Sequence, residues 1–305
     1  MKHLQIFRMI QSVQRAGSIR KAAEDMNITA SALTRRVLQF EEDFGAPIFE
    51  RLPRGVRLNA AGELLIQHMR SQEHDLARVR SLVADLSGER RGRVTIACSQ
   101  ALIPYFLPRQ ISLYRRDHPG VTFKVSVRDR VAAERDLSDF SSDLALVFEP
   151  MHLVDFEVLM DVPQPVHAIL PADNPLARKS ELRLRECLAH THVIPTAPYG
   201  VRHLLDIAAK RRGHELRPII EAESFELMRH YVLYENAIAF QLPIGLNPES
   251  HPRIAIRPIS QKDLPAGRLL LGQMRGRALP VASARFAVQL ATALEELRDD
   301  MAGIA

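Results

Sequence analysis

The spacing of hydrophobic residues near the N-terminus predicts three short helices. The first stops at Gly17, and its apolar stripe consists of Leu4, Phe7, Ile10 and Val13. Ser18 is a natural N-cap for a second helix, which would bury Ala22, Ala23 and Met26. Thr29 can cap a third helix, whose buried stripe would be Leu33, Val37 and Phe40. Short helices joined by a tight turn indicate a helix-turn-helix.

The pattern then changes from a helical period to that of strands. Residues 48–51 and 56–58 alternate like strands and flank the tetrapeptide Leu-Pro-Arg-Gly. Gly55 supplies the turn conformation, so we expect a two-stranded wing after the third helix.

A heptad pattern follows the wing. Asn59 can cap a helix that runs to about Leu86, with Gln72 as the polar interruption of its seam. The seam's apolar members are Leu65, Met69, Leu76, Val79, Val83 and Leu86. Such a seam is typical of a helix that pairs with a second copy; packing against the chain's own body is the alternative. Residues 87–92 predict a hinge.

From Arg93 onward the patterns of strand and helix alternate. The strands are "RVTIACS", "VTFKVSVRD" and "LALVF", and the helices between them are "YFLPRQISLYRRDHPG" and "VAAERDLSDFSSD". After Pro163 the series resumes with "HVIP", "VRHLLDIAAKRRG", "RPIIEAES", "FELMRHYVLYEN" and "AIAFQLP". This alternation predicts an α/β body of two doubly wound lobes with parallel sheets. We expect the final helix, roughly residues 281–298, to return to the first lobe.

Charge is concentrated at the N-terminal end. Among residues 1–60, ten basic side chains face six acidic ones, which accounts for four of the net five positive charges of the 305-residue chain. A basic block on a nearly neutral body indicates a polyanion partner for that block alone.

Other features exclude several classes of protein. Two cysteines, Cys98 and Cys187, form neither a disulfide framework nor a metal set, which suits a reducing compartment. We see no export signal and no membrane-length apolar run, and we expect a cytoplasmic protein. No GxSxG, HExxH, phosphate-binding glycine loop or CxxC is present, so we expect neither an enzyme nor a cofactor. His190 and His192 form an HxH that is typical of surface or core histidines.

The basic block contains two kinds of predicted DNA contact. Arg20 and Lys21 lie in a first helical turn, where cations oppose the helix dipole; an external phosphate explains them, and solvated side chains are the alternative. Small residues on the third helix let it approach base edges, and Arg35 can donate to guanine or phosphate. The wing's arginines suit the sugar-phosphate backbone. The full predicted set is Ser18, Arg20, Lys21, Thr29, Ala30, Ser31, Thr34, Arg35, Arg36, Arg51, Arg54 and Arg57.

Residues 7–65 resemble the winged helix-turn-helix of LysR-type transcriptional regulators. The resemblance is carried by the GS-x3-AA segment, the helix with Leu33 and Arg35, "FEEDFGAPIFER" and "RGVRLNAAG", which align without gaps. Two departures are Ala30, where the family often has glutamine, and Asn59, where threonine is usual.

The resemblance implies a DNA-binding domain at 1–58 and a linker helix at 59–88 through which two copies dimerise. Extended weakly over the body, it implies two lobes like those of a periplasmic binding protein, joined by two crossing strands. We expect lobe I to comprise 93–163 with 267–305, and lobe II 164–266. The partners would be promoter DNA, a small effector and a second copy, with tetramer or dimer left open and RNA polymerase as a candidate.

A ligand in such a body is expected where strands end and helices begin. Ser99, Gln100 and Ala101 follow the first strand, and Thr196 and Ala197 follow "HVIP" in the other lobe. Helix N-termini facing a cleft favour a carboxylate. By itself Ser99 would be an N-cap; its alignment with family effector contacts favours the binding role. Three more candidates carry open alternatives, namely Arg128 (solvated) and Phe148 and Phe240 (core).

The body also departs from the family at Tyr234-Glu235-Asn236-Ala237, where relatives tend to be glycine-rich. Asn236 tolerates the left-handed conformation that such a turn needs. The resulting hypothesis is a regulator whose DNA binding responds to an anionic effector. Its rivals are a cysteine redox switch of the same fold, in which Cys98 lies beside the effector turn, and a solute-binding protein.

Overall fold

The computed structural model describes residues 2–86, 91–153, 155–247 and 251–302. The chain separates into two compact units, Met1–Val79 and Arg80–Ala305.

Unit 1 contains the predicted three helices and hairpin. The order is α1 (Lys2–Ala16), α2 (Ile19–Asp25), α3 (Ala30–Phe44), β1 (Phe49–Leu52), β2 (Gly55–Leu58) and α4 (Ala60–Leu86), which continues past the unit's end. Ser18 and Thr29 cap α2 and α3 as predicted, and Gly45 ends α3 in the left-handed conformation. The strands β1 and β2 pair antiparallel as the expected wing.

Two apolar clusters form the core of unit 1. The first joins the helices of the helix-turn-helix through Met9, Val13, Ala22, Ala23, Leu33 and Val37. The second attaches the hairpin and α4 through Ile10, Ile48, Leu58, Leu65, Ile66 and Met69. The predicted stripes are confirmed for the buried residues Ile10, Val13, Ala22, Ala23, Leu33 and Val37. Phe7, Met26 and Phe40 are only partly buried, and the side chain of Leu4 lies outside the described residues.

Asn59 anchors the start of α4. Its Oδ1 accepts from the Gly62 N–H (2.9 Å), its Nδ2 donates to the Pro47 carbonyl (2.8 Å), and its own N–H donates to the Ile48 carbonyl (3.1 Å). One asparagine therefore caps the helix and fixes it to the segment before the wing.

The heptad seam of α4 has two different environments. Leu65 and Met69 are buried in unit 1, so they are unavailable to a second copy, whereas Val79 and Val83 are 47% and 58% exposed. Residues 87–90 of the predicted hinge lie outside the described residues, and the remaining two, Arg91 and Gly92, belong to a strand.

The first sheet of unit 2 and its helices comprise β3 (Arg91–Cys98), α5 (Phe106–Asp117), β4 (Gly120–Val127), α6 (Arg130–Ser138), β5 (Leu144–Phe148), β6 (Phe156–Gln164), β12 (Gly267–Met274) and α10 (Val281–Ala302). The five strands are arranged in the order β4-β3-β5-β12-β6. The helix α10 packs against β3, β6 and β12, so the C-terminal segment returns to this sheet as expected.

The remaining elements of unit 2 form a second group between β6 and β12. They are β7 (His167–Pro171), α7 (Leu184–Leu188), β8 (Val193–Pro195), α8 (Gly200–Arg211), β9 (Ile220–Ala222), α9 (Phe225–Glu235), β10 (Ala239–Gln241) and β11 (Ile254–Pro258). Strands β10, β7 and β11 form one sheet, and β8 pairs with β9.

Strand direction differs in part from the prediction of parallel sheets. The pairs β3–β4, β3–β5 and β8–β9 are parallel, but β12 runs antiparallel to β5 and β6, and β7 runs antiparallel to β10 and β11. In the first sheet the antiparallel pairs involve β6 and β12, the strands by which the chain leaves this sheet for the second group and returns from it.

A buried ion pair stabilises the first sheet. Arg277 Nη2 donates to Asp143 Oδ1 (2.8 Å), while the other carboxylate oxygen accepts from Ser283 Oγ (2.9 Å) and the Thr95 N–H (3.1 Å). One carboxylate thus connects β3, the turn after β12 and the start of α10. Within the described residues, no helix is long and apolar enough to cross a membrane.

Candidate nucleic-acid interface and effector cleft

The N-terminus of α2 presents the first predicted phosphate site. The Ser18 hydroxyl accepts from the Lys21 N–H (3.4 Å), so it is engaged as a cap. Lys21 is exposed, and Arg20 is exposed beside Glu24, with 3.2 Å between Nε and Oε1. An exposed pair of this kind is weak, so the Arg20 guanidinium remains available to a phosphate.

The N-terminus of α3 exposes small side chains. Thr29 Oγ1 accepts from the Ala32 N–H (3.2 Å) and from Ser31 Oγ (3.3 Å), and Thr34 Oγ1 donates to the Ala30 carbonyl (2.8 Å). The hydroxyl groups of Thr29 and Thr34 are therefore already hydrogen-bonded within the helix. The long side chain of Arg35, by contrast, is exposed.

The two arginines of α3 have different surroundings. Arg35 is exposed and, within the described part of the chain, has no ion-pair partner. Arg36 is also exposed but lies toward α1, where its Nη1 is 3.8 Å from Met9 Sδ. Arg35 is therefore the stronger candidate for a base contact.

The wing is fixed to the loop before α2. The Val56 N–H donates to the Gly17 carbonyl (2.9 Å), and a Cβ built on Gly55 would lie 2.2 Å from the same oxygen. Gly17 and Gly55 have φ of +61° and +124°, which glycine adopts most readily. This contact brings the turn that carries Arg54 next to the Ser18 cap.

The base of the wing is fixed to α3. Glu41 Oε1 accepts from the N–H groups of Ile48 (2.7 Å) and Phe49 (3.1 Å). The recognition helix, the start of α2 and the wing are thus joined by direct hydrogen bonds, so their basic groups are held in one arrangement.

One of the predicted backbone contacts, Arg57, has an ion-pair partner. Arg57 pairs with Glu50 directly across the hairpin, because register places these residues opposite each other on β1 and β2. Arg51 and Arg54 are exposed and have no ion-pair partner within the described residues. The wing therefore carries two arginines without an ion-pair partner among the described residues and a third, Arg57, in an exposed and hence weak pair.

In unit 2, the turn after β3 has one available hydroxyl. The Ser99 N–H donates to the Leu146 carbonyl (2.9 Å), but its hydroxyl makes no capping bond to the single 3-10 turn Gln100–Leu102. Ala101 is fully buried and belongs to the main apolar core. The regular helix α5 begins at Phe106, one residue after the predicted start.

Gln100 connects the two groups of elements. Its side-chain Oε1 accepts from the Phe225 N–H, the first of α9. The side-chain amide oxygen of Gln100 thus accepts a hydrogen bond from a backbone N–H at the start of α9, which has no acceptor within the helix. The predicted effector residue Gln100 is engaged between the lobes in this structure.

The matching turn in the second group ends at α8. The Thr196 N–H donates to the Ala222 carbonyl (3.2 Å), and Ala197 is exposed. Thr196 Oγ1 is buried and has no hydrogen-bond partner. A buried hydroxyl without a partner is unusual and marks a place where a polar ligand group gains a hydrogen bond.

Two predicted effector residues, Phe148 and Phe240, are buried, and a third, Arg128, is partly exposed and has an ion-pair partner. Arg128 Nε donates to Asp136 Oδ2 (2.8 Å), so its charge is compensated by α6. Phe240 is fully buried and Phe148 is 2% exposed, because both belong to the main apolar core. A Cβ on Gly200 or Gly267 would overlap Phe148, which shows how closely its ring is enclosed.

An aromatic pair that was not predicted from the sequence lies beside this turn. The Tyr199 and Phe225 rings lie 6.1 Å apart, at the starts of α8 and α9. Burial raises the pKa of Tyr199, and the nearby carboxylates of Glu223 and Asp129 raise it further. An aromatic residue directly before a predicted helix was the available signal.

Both cysteines are fully buried thiols. Burial raises the pKa of Cys98 and of Cys187 to about 12. A protonated, inaccessible thiol is a poor target for oxidants.

Residues 234–237, where the sequence departs from the family pattern, form the end of α9. Asn236 ends the helix with φ of +50°, as predicted, and Tyr234 is 82% exposed.

A winged helix-turn-helix with exposed basic side chains, followed by a two-lobed α/β body, defines a ligand-responsive DNA-binding protein. The chain belongs to the LysR family of bacterial transcriptional regulators. Residues 2–63 match the family's bacterial regulatory helix-turn-helix protein model, and residues 87–295 match the LysR substrate binding domain model.

Individual proteins agree with this assignment. The HTH-type transcriptional regulator CbbR of Sinorhizobium medicae is 30% identical over 240 residues, 78% of this chain and 76% of CbbR. A full-length OxyR variant from Pseudomonas aeruginosa has a TM-score of 0.71 at 18% identity, covering 96% of this chain and 94% of its own. Full-length CbnR complexed with its target DNA has a TM-score of 0.65 at 16% identity, covering 95% and 99%. The two structural likenesses establish the fold.

Proposed function

We propose that unit 1 binds promoter DNA with α3 in the major groove and the wing on the backbone. The observation that carries this proposal is the hydrogen-bonded junction of Gly17 with Val56, which holds the wing beside the start of α2. Arg35 would contact bases, whereas Arg20, Lys21, Arg51 and Arg54 would contact phosphates. Arg57 would contribute in the same way as Arg20, because its pair with Glu50 is also exposed and weak.

Salt dependence tests the electrostatic part of the proposal. Binding of the full-length protein to promoter DNA should weaken steeply between 50 and 200 mM salt, about 10³-fold if six phosphates are neutralised. An affinity that does not change with salt would count against it.

Unit 2 is proposed to bind a small anionic effector, a carboxylate, between the two groups of elements. The supporting features are the free hydroxyl of Ser99, the unpartnered Oγ1 of Thr196 and the exposed turn at Ala197 before α8. A carboxylate accepts from hydroxyl and backbone N–H groups of this kind.

The functional form is proposed to be a homodimer joined through α4, with a tetramer as a further assembly. The exposed side chains Val79 and Val83 support this, because they continue the heptad after its buried part. The proposed domains are the DNA-binding domain (1–58), the linker helix (59–88), lobe I (93–163 with 267–305) and lobe II (164–266). RNA polymerase is the proposed downstream partner.

We further propose that the protein acts in the cytoplasm, where its DNA is, and has regulatory rather than enzymatic activity. A thiol switch is disfavoured in this chain, because both cysteines are buried and their pKa is raised to about 12. A solute-binding protein would have no use for the helix-turn-helix.

A further inference from the structure

A second cavity lies in unit 2, and neither Ser99 nor Thr196 lines it. Its volume is about 1000 Å³, within the range of small-molecule pockets. The walls are α5, α10 and the segment that contains the 3-10 turn Pro243–Gly245. The lining residues that determine its chemistry are Arg109, Leu113, Ile244, Leu246, Glu296 and Leu297.

Hydrogen bonds fix the walls of the cavity. Gln289 Nε2 on α10 donates to both the backbone carbonyl and Oε1 of Gln110 on α5, at 2.9 Å each, and Gln110 is buried. On the third wall, the Ile244 N–H donates to Gln164 Oε1 (3.4 Å). Because these contacts exist without a ligand, binding requires little ordering of the protein.

The lining combines apolar surface with two separated charges. Arg109 is exposed on α5 and Glu296 is exposed on α10, and neither has an ion-pair partner within the described residues. Leucine and isoleucine side chains line the cavity with them. A ligand with an apolar body and one anionic group fits this arrangement, with the anion at Arg109 and away from Glu296.

We propose that this cavity is an accessory site for a small amphipathic organic acid, separate from the effector cleft. The site goes beyond the function proposed above, which needs only the cleft. Its walls continue directly into a close backbone contact, since a Cβ on Gly245 would lie 2.5 Å from the Ala101 carbonyl oxygen. Ala101 follows Gln100, whose side chain accepts from the first N–H of α9, so the cavity adjoins the contact between the two groups of elements.

The probe for this site is 8-anilinonaphthalene-1-sulfonate, an amphipathic anion whose fluorescence rises in apolar surroundings. The full-length wild type should bind it saturably. Arg109→Gln removes the charge-assisted bond and should weaken binding about tenfold. Ala293→Trp, at a partly buried lining position, should fill the cavity and abolish saturable binding.

Two control variants show whether any loss of probe binding is specific to this cavity. Arg116→Gln removes an equivalent exposed charge from the last turn of α5, outside this lining, and should leave probe affinity unchanged. Ser99→Trp blocks the effector cleft and should also leave it unchanged. Wild-type affinity in both Arg109→Gln and Ala293→Trp overturns the proposal, and so does loss of binding in Ser99→Trp. Neither outcome bears on carboxylate binding in the cleft, which is measured separately by thermal stability.

Discussion

Gly55 is pressed against the carbonyl oxygen of Gly17, with 2.2 Å between that oxygen and the position a Cβ would take on Gly55. The two glycines make the wing and the start of α2 one structural piece. The geometry of the DNA-binding face therefore depends on a backbone contact that no larger residue permits.

Gly55→Ala should destabilise unit 1 by about 1–3 kcal/mol, because alanine combines a strained φ with overlap of the Gly17 oxygen. Promoter binding should weaken with it. Urea denaturation followed by circular dichroism measures the first effect and fluorescence anisotropy the second. Gly45→Ala is the matched control, since Gly45 has φ of +81° but nothing within 4 Å of a Cβ. Equal effects of the two substitutions would remove the role of the Gly17 contact.

Arg35→Ala should lower promoter affinity about tenfold and leave binding to random DNA nearly unchanged, because base contacts carry the specificity. Arg54→Ala should weaken both and reduce the salt slope by about one. Competition binding at several salt concentrations measures the promoter affinity, the affinity for random DNA and the salt slope. If both variants lost the same specificity ratio, the proposed division between helix and wing would be wrong.

Thr196→Val should leave the free protein as stable as the wild type, or about 1 kcal/mol more stable, since the removed hydroxyl has no partner. The same change should diminish thermal stabilisation by a small carboxylate. Acetate, succinate and benzoate form a suitable first panel for thermal shift. Thr34→Val is the control, because its hydroxyl is already bonded within α3. A carboxylate-induced shift that survives intact in Thr196→Val would place the effector elsewhere.

Asp263 should give the second group of unit 2 part of its acid sensitivity. Arg183 donates to both its carboxylate oxygens (2.6 and 2.7 Å), and this hydrogen bonding lowers the pKa of Asp263 below its ordinary 3.8. A lowered folded-state pKa stabilises the protein above the ordinary value, and that stability is lost as pH falls through the lowered one.

Asp263→Asn should therefore destabilise the protein by about 2 kcal/mol at neutral pH and flatten the acid limb of the stability curve. Urea midpoints between pH 3 and 7 measure this. Glu215→Gln breaks a fully exposed pair with Arg217 and should change neither quantity noticeably. An unchanged acid limb in Asp263→Asn would refute the assignment.

Neither cysteine should react in the native protein. A thiol whose pKa is about 12 supplies almost no thiolate at neutral pH, and both side chains are fully buried. Ellman's reagent should detect two thiols only after unfolding, and peroxide should not change promoter affinity. Rapid modification of Cys98 in the native state would restore the redox hypothesis.

Features set by neighbouring residues were predictable from the sequence. The caps Ser18, Thr29 and Asn59 each bond within the first turn that follows them, so local pattern was sufficient. Asn236 in the left-handed conformation is a similar case. The basic face was predictable because helix periodicity and hairpin spacing place its side chains.

Features set by distant residues were not predictable in the same way. The strand β7 pairs with β10 and β11, which lie about 70 to 90 residues later, so its direction depends on contacts that no local pattern contains. Arg128 was expected to be free because its partner Asp136 lies on the following helix. Arg57 and Glu50, by contrast, are opposite across a short hairpin, and counting the register would have revealed the pair.

The anchoring of α4 by Asn59 has a consequence for the operator. A helix of 27 residues is about 40 Å long, and α4 is fixed at its first turn to Pro47. In the proposed dimer, two such helices would set the distance between the two half-sites of the operator DNA. Inserting half a helical turn of DNA between the half-sites would then rotate one of them out of reach.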